Sequence, residues 1–384
     1  MVNPFVEKLS TGEWSPERFR RHLVETGGPL VERVGADEVE VTFVDEPGDA
    51  TVTLSVVIGP VIGFNEIGEE FAAVPGTPFR VLTLRMRSDL RFSYVFTRGG
   101  ERIPDPFNPP PRFAGCAVER FSGASVAVLP DAVPLPWLDQ AEARPAPAVE
   151  STVFASELLG NERRVWVSMP PGEISEPLPF VIHLDGTPDH SAPSVRDALV
   201  EAGLIQPCAV VLVDSLGQQR YRELLCDPEF SRMLADELVP WLRERYALSH
   251  DPADVALAGE SFGGLCAGWT VLHHPETFGN AVLQSPSCGY HPDIRWGTGE
   301  LLRRVPVPLL ISDFLSADPA PIRVFHDAGE LESSNTHSRW LDQVLTSKGY
   351  DTVYREFAGG HDYAWWRGLF ADALRWCFPP ETRP

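Results

Sequence analysis

Basic residues are scarce in this chain of 384 residues: 32 Lys and Arg stand against 54 Asp and Glu, a formal net charge of −22 at pH 7. Nucleic acid or an anionic membrane surface would be repelled over most of such a surface, so neither is an expected partner. Cysteine is scarce too. Cys116, Cys208, Cys226, Cys266, Cys288 and Cys377 are scattered, with no Cys-x-x-Cys pair and no Cys/His cluster at zinc spacing. That pattern argues for reduced, mostly buried thiols rather than a disulfide framework or a metal site. The N-terminus MVNPFVEKLS lacks a basic stretch followed by an apolar one, and no apolar run approaches the roughly 20 residues of a membrane span. A cytoplasmic protein without metal or organic cofactor is therefore expected.

What the chain does contain is a hydrophobic fraction of 43% with 22% charged residues, enough to bury a sizeable core, and a length that suits two domains. The segments EVEVTFVDE, ATVTLSVVIG, FRVLTLRMRS and LRFSYVFTRGG alternate or are β-branched, and Pro, Gly and Asp bound them at short spacing. They predict an antiparallel β-sandwich over residues 1–128. Proline and alanine then dominate Leu129–Glu150, which reads as a semi-rigid linker over 129–150. From 151 to 384 the pattern changes. Continuous apolar runs such as PFVIHLDG, CAVVLVDS and NAVLQSPS are separated by amphipathic helical stretches. This predicts a mainly parallel sheet with helices on both faces, an α/β domain.

Within that domain LAGESFGGLCAGW carries Gly-x-Ser-x-Gly between a strand and a helix. In such a nucleophile elbow the glycines allow a sharp turn that lifts the serine, here Ser261, above the carboxyl end of the sheet of an α/β-hydrolase. A serine hydroxyl needs a base within hydrogen-bond reach. The loop after the last strand, in REFAGGHDYAWW, offers His361. His183 lies within a strand and His326 ends one, where a core role is the ordinary outcome. The strand end VFHDAGELESS supplies Asp327, Glu330 and Glu332 as candidates to orient the imidazole. An oxyanion hole would combine the N–H of Phe262 with that of Gly186 or Thr187 in VIHLDGTPDH.

These segments, together with VLVDSLGQQRYRELLCDPEFSRMLADELVPWL and GGHDYAWWRGLF, resemble the enterochelin (ferric enterobactin) esterase family within the esterase-D and feruloyl-esterase group. LRFSYVFTRGGERIPDPFNP is similar to the N-terminal Ig-like domain of that family. The resemblance runs from about Glu38 onward. It implies Ser261 as nucleophile and His361 as base, and selects Glu332, three residues after Gly329, as acid. It also implies that Arg220 and Arg222 lie beside the active site, where they could bind an anionic or catecholate substrate, and that Trp365, Trp366 and Arg367, which follow the base, could line the pocket, with Trp365 a third substrate-binding candidate. The implied activity is hydrolysis of a siderophore-like ester, a catecholate trilactone or depsipeptide, with any iron belonging to the substrate. Two other readings remain open: an acyltransferase or cyclase using the same acyl-enzyme, and a binding protein with an inactive hydrolase fold.

Overall fold

The computed structural model describes residues 3–46, 51–57, 64–113, 123–293 and 307–380, so Cys116 lies outside the described residues. Two helices, Pro4–Ser10 and Pro16–Thr26, come first; both begin with proline, which suits a first turn that has no N–H partner to lose. They had no counterpart among the expected elements.

Nine strands follow among the described residues: β1 (Leu30–Arg33), β2 (Glu38–Asp45), β3 (Val52–Val56), β4 (Asn65–Glu70), β5 (Ala72–Ala73), β6 (Arg80–Arg87), β7 (Arg91–Arg98), β8 (Glu101–Ile103) and β9 (Ser125–Val128). They form two antiparallel sheets, ordered β1-β2-β6-β5 and β4-β3-β7-β8, with β9 also pairing to β7. Alternation places Val39, Val41 and Phe43 of β2 opposite Leu54 of β3 and Phe92, Tyr94 and Phe96 of β7 in one buried cluster. The inward faces of the two antiparallel sheets meet in this core, so the strands form a β-sandwich.

The stretch read as a linker carries a helix, Pro136–Glu142. Leu135, Leu138 and Ala141 recur every three residues, and all three are buried in a cluster with Trp366 and Phe370. It is thus packed chain rather than a spacer, because its apolar residues share one helical face.

Among the described residues eight strands build the second unit: β10 (Glu150–Ser156), β11 (Asn161–Ser168), β12 (Phe180–Leu184), β13 (Ala209–Val213), β14 (Val255–Glu260), β15 (Asn280–Gln284), β16 (Arg323–Gly329) and β17 (Asp351–Phe357). Their order is β10-β11-β13-β12-β14-β15-β16-β17. β10, β11 and β13 pair antiparallel, and every other neighbouring pair is parallel. The apolar runs alternate between two cores. Ile182, Val211, Leu257 and Leu283 face one cluster, and Val181, Val210, Ala256 and Val282 face the other. Both faces are therefore covered by helices, which explains why these strands read as continuous hydrophobic segments. No helix among the described residues is long and apolar enough to cross a membrane.

Candidate active site

β14 ends at Glu260; the following Ser261 adopts φ +57° and ψ −114°, and the next residue opens the helix Phe262–His273. A non-glycine residue enters that region at a cost of about 1–3 kcal/mol. Gly259 makes the turn possible, since a Cβ there would stand 2.6 Å from the carbonyl carbon of Gly263. The strain is shared. Among the described residues five non-glycine residues have positive φ, and four of them, Asp185, Leu216, Ser261 and Ser285, follow the ends of β12, β13, β14 and β15. Strain therefore concentrates at the carboxyl edge of the sheet, where sites of parallel sheets assemble. A hollow of about 770 Å³ is lined instead by Pro170, Ile174, Leu178 and Pro207 near the amino ends of β12 and β13, and it includes none of the candidate residues.

His361 lies four residues beyond β17, and its Nδ1 donates to Glu332 Oε2 at 2.5 Å. The second oxygen of Glu332 accepts the Gly329 N–H at 2.6 Å. Both side chains are buried. Gly329 lets the two loops touch: a Cβ there would stand 2.5 Å from the Gly359 carbonyl oxygen, and Glu330 and Leu331 donate their N–H groups to Phe357 and Gly359 at 2.9 and 3.0 Å. Trp366 meets the imidazole edge-on, with ring centroids 4.8 Å apart, and its Nε1 donates to Ser285 Oγ at 2.9 Å. With Nδ1 donating, a neutral imidazole keeps a lone pair on Nε2. That atom is buried and has no hydrogen-bond partner among the described residues, so it is free to accept a proton. Ser261 Oγ hydrogen-bonds Ser287 Oγ at 3.3 Å rather than the imidazole. Such bonds between nucleophile and base commonly tighten only when substrate is bound.

Of the three candidate acids, Glu332 alone meets the histidine among the described residues. Asp327 accepts from the Ser285 N–H (3.2 Å) and the Gln284 amide (3.5 Å), and burial pushes its carboxyl up to about 8. Glu330 is on the surface and pairs with Arg87 at 2.9 Å. Ser287, whose hydroxyl shares a hydrogen bond with that of Ser261, was not among the expected residues; its only trace in the sequence is a small residue just after β15.

Phe262 supplies the first N–H of a helix, and that group donates to no other described residue. The expectation for Gly186 needs correction. Its N–H donates to the Val213 carbonyl at 3.0 Å, so it is committed to tying the loop to β13. The alternative named with it, the Thr187 N–H, makes no bond among the described residues.

Three substrate-binding expectations also change. Arg220 is buried and grips both Asp185 oxygens, Nε at 2.8 and 2.9 Å and Nη2 at 2.5 Å. Burial opposes its charge, but the Asp185 carboxylate outweighs that and raises the guanidinium pKa. Its carbon Cζ also lies 5.1 Å from the Phe262 ring centroid. Arg220 therefore braces the strained Asp185 turn and the elbow instead of offering a free cation. Arg222 is exposed and pairs with Asp227 (3.2 Å) and Glu229 (3.4 Å), in a hollow shared with Asn161 and Gln219. Trp365 is fully buried, with Nε1 donating to the Arg91 carbonyl at 2.9 Å, so it is core and not pocket wall. Arg367 is buried as well and pairs with Glu142 at 3.5 Å.

The fold also assembles a group that sequence spacing hid: His183, His190 and Glu260, the residue before the nucleophile. Glu260 Oε1 lies 3.3 Å from His183 Nε2 and 3.4 Å from His190 Nε2. These donors do not suit a metal. His190 Nδ1 accepts the Ala192 N–H at 3.1 Å, which puts the ring proton on Nε2, the atom a cation would need bare. Burial would push the Glu260 carboxyl up, but the two imidazoles outweigh it and hold the group well below the usual range. Burial likewise opposes charge on His183, and Glu260 outweighs it, raising that imidazole. The group is a buried ion-pair network under the elbow. The five described cysteines are free and buried, and burial pushes the thiols of Cys208, Cys266, Cys288 and Cys377 up to about 12.

The family described as putative esterase matches residues 156–377. An iron(III) enterobactin esterase of Dickeya dadantii is 27% identical over 418 aligned positions, covering 96% of this chain and 94% of the relative. One from Escherichia coli O6:H1 is 30% identical over 71% of this chain and 67% of its own length. The solved structure of the Shigella flexneri enterobactin esterase in the presence of enterobactin superposes with a TM-score of 0.76, at 24% identity, over 92% of this chain and 96% of that one.

Proposed function

The chain belongs to the putative-esterase family and groups with its iron(III) enterobactin esterases, and from that premise we propose that it is a serine esterase that opens siderophore esters through an acyl-enzyme. The substrate class is supported by the relatives, whose names specify iron(III) enterobactin and one of which aligns over 96% of the chain. The chemistry is carried by one observation: a strained serine at a helix N-terminus shares the sheet edge with a buried Glu–His pair whose Nε2 is unoccupied.

In this mechanism Ser261 attacks the ester carbonyl while His361 Nε2 takes its proton. Glu332 accepts from Nδ1–H throughout, which fixes the tautomer and stabilises the imidazolium. The N–H groups of Phe262 and Thr187 receive the negative charge of the tetrahedral intermediate, each such donor being worth about 3 kcal/mol in the transition state. The protonated histidine then returns its proton to the leaving alcohol, and water attacks the acyl-enzyme by the same route. Tyr221, 46% exposed and edge-on to Phe262 at 6.1 Å, offers an aromatic surface beside the nucleophile against which a catechol ring could stack. The sandwich is proposed to be Ig-like and to span 1–128, with the hydrolase domain over 151–384 and the segment 129–150 between them.

The test gives wild type and Ser261→Ala a panel of iron-free and ferric catecholate trilactones, their linear fragments and unrelated aryl esters, with products followed by mass spectrometry. Cleavage of trilactones by wild type and not by the variant is expected. Cleavage of aryl esters alone would remove the siderophore assignment, and equal cleavage by Ser261→Ala would remove the mechanism.

A further inference from the structure

The nucleophile and its partners are held by different parts of the molecule. Ser261 is tied only to its own unit among the described residues: its N–H donates to Gln284, and its carbonyl accepts from Leu265 and Ser287. The acid and the base, by contrast, each sit one residue away from an anchor in the N-terminal sandwich. Leu331, which precedes Glu332, packs against the sandwich core, as does Ala358 at the start of the histidine loop. Asp362, which follows His361, is buried, and both its oxygens are held by one residue of β7: Ser93 N–H donates to Oδ2 at 2.5 Å and Ser93 Oγ to Oδ1 at 2.6 Å. Two further bonds run alongside, Arg91 N–H to the Ala358 carbonyl at 3.4 Å and Trp365 Nε1 to the Arg91 carbonyl at 2.9 Å.

We propose that β7 of the sandwich is part of the positioning apparatus of the acid–base pair, with Ser93 acting through Asp362 on His361. The inference rests on the serine-esterase reading above and gives the N-terminal unit a role in that reaction. Asp362 also accepts the Ala364 N–H at 2.9 Å and so starts the helix Tyr363–Cys377. The carboxylate thereby links three things: the sandwich, the last helix and the residue after the base. Both loops bearing Glu332 and His361 touch each other and the sandwich, so they move with it as one piece. Their distance from Ser261 is then set by how the sandwich seats on the hydrolase sheet. Displacements of an ångström at reacting groups can cost roughly a hundredfold in rate.

Full-length Ser93→Ala removes one of the two bonds to Asp362. Asp362→Asn keeps the shape but turns an amide N–H toward either the Ser93 or the Ala364 N–H, because only one oxygen remains. Arg85→Ala, which removes an exposed ion pair with Glu38 inside the sandwich, serves as the control. Each protein is assayed for the rate of Ser261 labelling by a fluorophosphonate, for kcat and KM on an aryl ester, and for melting midpoint. Ser93→Ala is expected to slow labelling and lower kcat about tenfold with KM nearly unchanged, and Asp362→Asn to do so more strongly, while Arg85→Ala matches wild type. Wild-type labelling rates in both Ser93→Ala and Asp362→Asn would overturn the proposal, as would rate losses that only track the fraction unfolded. Labelling reads the serine and histidine with no siderophore present, so failure of the substrate assignment shows separately, in the trilactone panel.

Discussion

Replacing Glu332 by glutamine tests the acid–base geometry most directly. The carboxylate now does two jobs at once, accepting from His361 Nδ1 at 2.5 Å and from the Gly329 N–H at 2.6 Å. Glutamine has one acceptor oxygen. If that oxygen stays on Gly329, the amide NH2 must donate to Nδ1, which moves the imidazole proton to Nε2 and leaves no lone pair to receive the serine proton. If it turns to Nδ1, the NH2 abuts the Gly329 N–H in a buried site, and the negative charge that stabilised the imidazolium is gone. A charge-assisted hydrogen bond is worth about 1.5–3 kcal/mol, a factor of roughly 10–100 in rate, and an inverted tautomer in the Ser-His-Asp case costs about 10⁴. Glu332→Gln is therefore expected to lower kcat by about 10²–10⁴ with KM little changed, measured as steady-state hydrolysis of an aryl ester from pH 6 to 9. A variant within a few-fold of wild type would refute the assignment. So would an equal loss in Asp327→Asn, which would transfer the role to the other carboxyl.

The Asp327 carboxyl, with an ordinary value of 3.8 and a folded one of about 8, binds its proton more tightly in the folded chain. The stability it contributes is full below about pH 4 and is lost as pH rises through about 8. Melting curves of wild type and Asp327→Asn across that range should diverge by this component, and parallel curves would count against it. Arg220→Ala is expected to leave the buried Asp185 carboxylate without its partner, at a cost of about 3–5 kcal/mol in urea unfolding. Arg222→Ala, by contrast, should leave kcat/KM on a trilactone unchanged, because its exposed guanidinium is already engaged with Asp227 and Glu229. A tenfold rise in KM there would restore Arg222 to the binding site.

The sequence by itself determined the layers and the kind of chemistry. Alternating and β-branched residues in 38–46 and 91–98 encode antiparallel strands, and runs such as AVVLV encode strands covered on both faces, because strand-forming patterns are written directly into the order of residues. Gly-x-Ser-x-Gly between strand and helix and Gly-Gly-His after the last strand are local signals of the same type, since a tight turn needs its glycines in place. The helix Pro136–Glu142 is not legible in the sequence, because proline-rich composition masks its three-residue apolar spacing.

What only the tertiary structure decided is which groups meet. Three carboxylates lie within six residues of one another, and the fold alone brings Glu332 to His361 while burying Asp327 against Gln284 and leaving Glu330 to Arg87. Arg220 reads as a free cation until Asp185, 35 residues earlier, is found on it, and Gly186 reads as a free donor until β13 claims its N–H. Ser93 and Asp362 are 269 residues apart. A hydrogen bond depends on the position of two atoms in space, and a single chain read in order specifies only one of them at a time.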